Sequence, residues 1–355
     1  MSLHGLHLVV PGSLNQRTGG YVYDACIVDG LRRMGWQVIV HELDGTFPEA
    51  DETAHASLTR VLASLPDDTQ VVLDGLAMGG LPQPLRAHGL RLRIVGLVHH
   101  PLADETGLDS DQRHRLAASE RDSLSVCRGV LVTSSKTASR LFAYGVPPAR
   151  VRAVPPGTEP ARRAGGPAPG APPQIICVGA VIPRKGQDVL VRALARLSDT
   201  AWICVCAGSL TRHLLYAATV QAQVIEAGFS ERFRFVGECE EEVLDELYHS
   251  SSLFALPSYD EGYGMALTEA LARGLPVVST TGGAIPDTVP DGTGVLVPPG
   301  DDLALATAID ELLTDDSRCL NLGSAARRYA ATLPDWDQAA VTFASAVAEF
   351  GSSAT

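Results

Sequence analysis

Two carboxylates, Glu261 and Glu269, stand eight positions apart in the stretch YDEGYGMALTEALARGLPVV, residues 259–278. The apolar run SLFALPS before them reads as a buried strand, Met265 to Arg273 are good helix formers, and Gly274 and Pro276 end the helix. Glu261 therefore falls on a strand-to-helix turn and Glu269 about one turn into the helix. Gly262 and Gly264 let the backbone approach a ligand closely at the helix N-terminus. Such an end carries unpaired N–H groups and a partial positive charge, which suit a phosphate. A carboxylate beside that phosphate would repel it, but it can accept hydrogen bonds from sugar hydroxyls. Taken alone, the pair reads first as one acid complementing the helix dipole and one solvated acid.

Further groups able to do chemistry lie at other strand ends. After the apolar run QIICVGA, Arg184 and Lys185 precede a helix opened by Gly186. Two adjacent cations at a helix start form a place for a diphosphate, or a solvated basic pair. Lysine is rare in this chain, with Lys136 and Lys185 as its two examples, so Lys185 carries weight. RFRFVG ends at Gly237-Glu238, where a glycine allows contact with a flat ring such as a base. RIVGLVHHPLADETG places His99 and His100 at a strand end, followed by Asp104 and Glu105. A lone histidine there is ordinarily structural. Gly19 and Gly20 open a helix near the start of the chain, and Gly282-Gly283 mark either a close backbone approach or a turn.

These residues need elements to carry them, and the chain supplies alternating strands and helices throughout. The strand-like runs are LHLVVP, QVIVHEL, QVVLDG, RIVGLVHH, GVLVTS and RVRAVPP, then QIICVGA, AWICVCAG, RFRFVG, SLFALPS, LPVVST and GVLVPP. Continuous apolar strands alternating with helices predict parallel sheets covered on both faces, that is, an α/β protein of two doubly wound, Rossmann-like domains. Ligands then bind at the carboxyl ends of the strands. The stretch GTEPARRAGGPAPGAPP reads as a linker. The expected division is 1–160, a linker at 161–173, a second domain at 174–333, and a C-terminal helix at 334–355 that returns to the first domain.

Bulk properties narrow the function. The 355 residues are 45% hydrophobic and 19% charged, which suits a two-domain globular chain. The net charge of −13 is uneven: residues 1–170 hold 17 basic and 17 acidic groups, and the rest hold 11 and 24. That excludes nucleic-acid binding as the main task. No apolar run has the length of a membrane span, and the N-terminus lacks the pattern of a signal peptide. Seven cysteines without a CxxC pair read as reduced core thiols in a cytoplasmic protein. The arginine-bearing helix DQRHRLAASERDSL, residues 111–124, reads as a solvated face because acids interleave with the arginines.

In combination, these segments resemble the retaining glycosyltransferases of family 4, which have the GT-B fold. The order Gly179, Arg184, Lys185, Gly186, then Phe235 to Gly237, then PSYDEGYGMALTE carries the resemblance. It implies transfer of a sugar from a nucleoside-diphosphate sugar, UDP- or GDP-linked, to an acceptor that is a small molecule, a glycan or a lipid-linked glycan. It implies that Glu261 holds donor-sugar hydroxyls and Glu269 the ribose. Gly262, Tyr263 and Gly264, with the backbone of Met265, Ala266, Leu267 and Thr268, would embrace the diphosphate. Arg184 and Lys185 would neutralise the leaving group, Gly237 and Glu238 would flank the base, and Gly19 and Gly20 would lie near the donor phosphate. His99 would reach the donor sugar, with His100 as the second candidate, and Asp104 and Glu105 would line the acceptor side. No cofactor and no metal are expected, since no D-x-D motif sits at a strand end. A cytoplasmic enzyme is implied, with peripheral attachment to a membrane as a variant. The family's G-G-x-x-E pattern is replaced here by GGAIPD, which puts a role for Asp287 in doubt. Two other readings stay open: a sugar-nucleotide epimerase or phosphorylase on the same fold, and a non-catalytic sugar-nucleotide-binding protein.

Overall fold

The computed structural model describes residues 5–197 and 200–352. The chain forms two compact units, one running to Gly157 and including the stretch from Pro334 onward, the other spanning Thr158–Leu333. The strands of the first unit are β1 (Gly5–Pro11), β2 (Gln37–Leu43), β3 (Gln70–Asp74), β4 (Arg93–Val98), β5 (Gly129–Val132) and β6 (Val151–Ala153). They form one parallel sheet in the order β2-β1-β3-β4-β5-β6. The second unit has β7 (Gln174–Val178), β8 (Ile203–Ala207), β9 (Phe233–Gly237), β10 (Leu253–Leu256), β11 (Val277–Thr280) and β12 (Gly294–Val297). Their order is β12-β11-β10-β7-β8-β9, again parallel throughout. Both are doubly wound sheets, the architecture of the GT-B fold.

The sequence accounts for this directly. β5, β10 and β11 are buried at every position, which requires helices on both faces. Each sheet also reverses its winding direction once. In the first unit this happens between β1 and β3, in the second between β7 and β10. The crevice at the carboxyl ends of those strands is where open α/β sheets bind ligands.

The helix Trp336–Ser352 lies with the first unit and buries Ala339, Ala340, Phe343, Ala344, Val347 and Phe350, a helical stripe with spacings of three and four. Small residues make its seat. A Cβ on Gly30 would stand 2.5 Å from the Ala340 Cβ, and one on Gly129 would enter the Phe350 ring. Arg33 pairs with Asp337 at 2.7 Å across the same contact.

Two expectations change. The first unit ends at Gly157, and the stretch read as a free linker, 161–173, is counted with the second unit. The amide of Ala164 donates to the Arg273 carbonyl, and those of Gly165 and Gly166 donate to the His249 carbonyl. Proline and glycine content therefore marks an irregular segment that is pinned down by backbone hydrogen bonds. The helix Ser110–Val126 is not wholly solvated either, because Glu120 turns inward and is fully buried. All seven cysteines are free.

Candidate active site

In the second unit, β7 and β10 run side by side and their following loops meet. The turn after β7 contains a short 3-10 segment, Pro183–Lys185, ended by Gly186 in the left-handed region at φ 67°. A Cβ on Gly186 would stand 2.3 Å from the Pro257 carbonyl oxygen, so glycine is what allows this turn to touch the loop after β10. The Tyr259 amide then donates to the Arg184 carbonyl at 2.7 Å.

This contact delivers both cations to Glu261. Lys185 Nζ lies 2.6 Å from Glu261 Oε1, and Arg184 Nη1 lies 3.4 Å from Oε2 and donates to the Asp260 carbonyl at 2.9 Å. The Ser258 hydroxyl donates to Oε1 at 2.6 Å. Glu261 itself is buried. Burial alone would raise the pKa of its carboxyl group. Lys185 and Arg184, together with the hydrogen bonds from Lys185 and Ser258, outweigh that and lower it to about 2. Glu261 is therefore a permanent carboxylate, able only to accept.

From Glu261 the chain enters the helix Met265–Ala272 through Gly264, which is left-handed at φ 95°. The helix has no side-chain cap and no acid in its first turn. Its first intrahelical acceptor is the Gly264 carbonyl, which takes Leu267 and Thr268. The amides of Met265 and Ala266 precede that bond, at the positive end of the helix dipole. Glu269, half-buried and one turn on, accepts from the Tyr248 hydroxyl at 2.9 Å. Burial pushes the Glu269 carboxyl group up, against the Tyr248 hydrogen bond and the nearby Arg273 charge. Arg273 in turn stacks on the Tyr248 ring, 4.4 Å from its centroid.

Gly282 and Gly283 answer the choice between close approach and simple turn: they serve close approach, to the chain's own backbone. A Cβ on Gly283 would stand 2.4 Å from the Glu261 carbonyl oxygen, and one on Gly282 would stand 2.2 Å from that of Tyr259. The Ala284 amide donates to the Glu261 carbonyl at 2.8 Å. Gly237, left-handed at φ 72°, has open space where a Cβ would be, and the adjacent Glu238 is exposed. Asp287 lies in the short helix Ile285–Thr288, and its carbonyl accepts from the Tyr329 hydroxyl at 3.3 Å.

In the first unit the groups collect at the ends of β1, β3 and β4. His99 Nε2 lies 3.0 Å from Asp24 Oδ1 and 3.4 Å from Asp74 Oδ2. The edge of His99 faces Gly20, where a Cβ would stand 3.2 Å from Cδ2, so this glycine and the histidine come together. Tyr23 packs edge-on to the imidazole, and its hydroxyl donates to the Val154 carbonyl at 3.0 Å. Burial opposes a charged His99, but the charge and hydrogen bond of Asp24, then Asp74, win and raise its pKa. The Asp74 carboxyl is raised by burial and by Asp24, against His99 and the amides of Leu76 and Ala77.

His100 follows, half-buried. Asp104 is committed to an ion pair with Arg140 at 3.2 Å, and Glu105 accepts from the Thr106 amide at 3.0 Å. Both acids thus have local structural partners. The Leu102 amide donates to the buried Glu120 at 3.0 Å, and burial raises that carboxyl to about 8.

Sequence reasoning missed Asp24, Asp74 and Ser258. Asp24 was accessible, since it stands four residues after Gly20, one helical turn along the same face. Asp74 is the single polar residue at the end of an otherwise apolar strand. Among the described residues, Asp24, Asp74 and His99 are the grouping whose ligand atoms lie within 4.8 Å of one another. Their contacts have hydrogen-bond lengths, and Asp74 Oδ1 is already occupied by the Leu76 and Ala77 amides at 2.8 and 3.3 Å. A ring N–H between two carboxylates accounts for the arrangement.

Comparison with known proteins fits this geometry. Residues 159–329 match the model of the family described as glycosyl transferases group 1. That match runs over nearly the whole second unit, Thr158–Leu333. Its loops carry the Arg184–Lys185–Glu261 cluster, so the match and the cluster coincide. The chain is 33% identical over 229 residues to a GDP-mannose-dependent alpha-(1-6)-phosphatidylinositol monomannoside mannosyltransferase of Mycolicibacterium smegmatis, covering 58% of each chain. It is 30% identical over 275 residues to a D-inositol 3-phosphate glycosyltransferase of Salinispora tropica, covering 69% of this chain and 57% of that one. These matches span less than two thirds of either relative's length. Among solved structures, a sucrose-phosphate synthase from Thermosynechococcus elongatus superposes with a TM-score of 0.83 at 22% identity, covering 98% of both chains. Among the described residues, no helix is long and apolar enough to cross a membrane.

Proposed function

We propose that this protein is a retaining glycosyltransferase that moves a sugar from a nucleoside-diphosphate sugar to a hydroxyl-bearing acceptor. The observation that carries the reading is the ion cluster at the mouth of the helix Met265–Ala272. Arg184, Lys185 and Glu261 together carry a net charge of +1 at the positive end of a helix with no acid in its first turn. A helix end adds roughly half a positive charge. That arrangement favours a diphosphate as it departs, in the place a metal ion holds in other enzymes. Glu261, kept ionised, accepts from the donor's hydroxyls. Glu269 takes the ribose, Gly237 and Glu238 border the base, and Tyr263 to Thr268 line the diphosphate. For His99, beside Gly20 in the first unit, the family resemblance implies a role toward the donor sugar.

Two features favour the finer assignment. The mannosyltransferase relative is named as GDP-mannose-dependent, which puts GDP-mannose first among donors and a UDP-sugar second. Both relatives are named for acceptors in which a phosphate accompanies inositol. We therefore place a phosphorylated or lipid-linked inositol first among acceptors, consistent with an enzyme that works at a membrane surface.

Retention follows from the absence of an assigned base. Glu261, with its pKa lowered to about 2, is too weak a base for that role, and the departing phosphate oxygen takes the acceptor's proton on the same face. Transfer assays with GDP-mannose and UDP-sugars, with and without inositol phosphate or phosphatidylinositol mannoside, test the reading. The expected product is α-linked from an α-linked donor, by the anomeric coupling in proton NMR. A β-linked first product would sink the mechanism, and donor isomerisation without acceptor would replace it by an epimerase.

A further inference from the structure

Two carboxylates from two elements converge on one ring nitrogen of a third. Asp24 comes from the helix Gly19–Arg33, Asp74 from the end of β3, and His99 from the end of β4. Both carboxylates are buried, with relative exposures of 2% and 5%. Two buried acids facing each other repel, and each needs a positive or proton-donating partner. His99 Nε2 meets both, at 3.0 and 3.4 Å. Tyr23 presents a ring edge at 5.2 Å between centroids, Gly20 presents no side chain, and the Thr133 hydroxyl donates to the His99 carbonyl at 3.5 Å.

We propose that Asp24 and Asp74 are positioning residues that hold His99 with its proton on Nε2 and its ring fixed, leaving Nδ1 as the one nitrogen offered to the donor. This rests on the glycosyltransferase reading above. One carboxylate on a ring nitrogen sets the tautomer, as in the hydrolase triad. Two carboxylates from separate elements also resist rotation of the ring about its χ2 axis. Asp74 is itself held, because its other oxygen accepts the Leu76 and Ala77 amides. All three residues border the point where the first sheet reverses its winding, so a ligand seated there meets the ring in a single orientation and protonation pattern. Glycine at position 20 keeps the neighbouring edge of the ring clear.

The test uses Asp24→Asn and Asp74→Asn in the full chain, each alone and combined with His99→Gln. Asparagine keeps the shape but turns an acceptor into a potential donor, which draws the proton from Nε2 to Nδ1. Each single substitution is expected to lower kcat by at least about tenfold with little change in donor KM. Neither should lower it further once His99 is glutamine, because residues acting through a third are non-additive with it. Nitrogen-15 NMR of histidine-labelled protein supplies a readout independent of turnover, with the His99 signal assigned by its loss in His99→Gln. The wild-type ring should carry its proton on Nε2, and Asp24→Asn should move it to Nδ1. If no donor is turned over, the glycosyltransferase reading fails while the NMR arm still decides this one. Equal losses with and without His99, or an unprotonated Nε2 in the wild type, would overturn the proposal. Inactivation by chelator, reversed by a divalent ion, would overturn it too, by turning the three residues into metal ligands.

Discussion

Replacing Glu261 by glutamine isolates the electrostatics of the second-unit cluster, because size and shape are kept and only the charge is lost. The carboxyl group is lowered from 4.5 to about 2 by Lys185 and Arg184. A shift of that size corresponds to on the order of 3 kcal/mol of native-state stabilisation at neutral pH. Its sign follows from proton binding. Below about 4.5 the unfolded chain takes up the proton first, so the contribution is full above that value and drains away as pH falls towards about 2. Glu261→Gln should therefore destabilise the protein by on the order of 3 kcal/mol at pH 7, and by less than half of that, roughly 1 kcal/mol, at pH 3. For a unit of this size, the neutral-pH loss corresponds to a Tm lower by about 6–12 °C.

Urea unfolding of wild type and variant at pH 7, 5, 4 and 3 checks this, with Trp202, a core residue of the second unit, as reporter. A difference that stays constant between pH 7 and pH 3 would refute the reasoning. It would mean that the loss comes from the Ser258 hydrogen bond or from packing, and that the Lys185–Glu261 pair is electrostatically idle. The same variant should slow sugar transfer while leaving the anomeric configuration of the product unchanged.

Four other outcomes are expected. Lys185→Ala should cut kcat/KM for the donor by about 100- to 1,000-fold in a folded protein, read by steady-state kinetics, because half of the cationic charge on the leaving group is gone. EDTA should leave transfer unchanged, since side chains and helix amides supply the charge; a simple assay with and without chelator decides it. Glu120→Gln should gain stability relative to wild type as pH rises from about 4.5 to about 8, by up to about 5 kcal/mol, because the buried acid holds its proton in the native state after the unfolded chain has lost it; melting curves across that range measure it. Gly283→Ala should lower both Tm and donor binding, because a Cβ at φ 61° would stand 2.4 Å from the Glu261 carbonyl oxygen.

Much of the fold was legible because both sheets are parallel and buried. Runs such as LFAL and GVLV have no polar face to disguise them, and glycine or proline marks most of their ends. The second-unit site was legible for a related reason. Its groups sit within a few residues of strand ends, and lysine is rare enough to single out Lys185. What the sequence concealed is pairing between distant segments. Nothing in RKG or DEGYG indicates that Lys185 reaches Glu261, because that contact depends on β7 lying next to β10. Asp24 carries no mark in GGYVYDACIVDG that sets it apart, and Glu120 lies in a helix read as solvated. Each turns inward because of helix phase, which a charge-rich stretch such as DQRHRLAASERDSL does not reveal. The supposed linker misled by composition: backbone amides pin it through carbonyls of Arg273 and His249, and carbonyls leave no mark in sequence.

The two clusters use the same place in a doubly wound sheet to opposite ends. In the second unit two fixed cations meet one carboxylate, so the acid is ionised at any ordinary pH and the surplus is positive. In the first unit two carboxylates meet one imidazole, so acids outnumber the basic group and one ring nitrogen serves both. A diphosphate therefore has a reason to bind the second cluster and a reason to avoid the first. A neutral sugar has hydroxyls to offer either. Under the proposed function, the pairing in the second cluster explains how Glu261 can sit beside a phosphate site at all. Paired as it is, its charge is spent on Lys185 and Arg184, and what remains available is its capacity to accept a hydrogen bond.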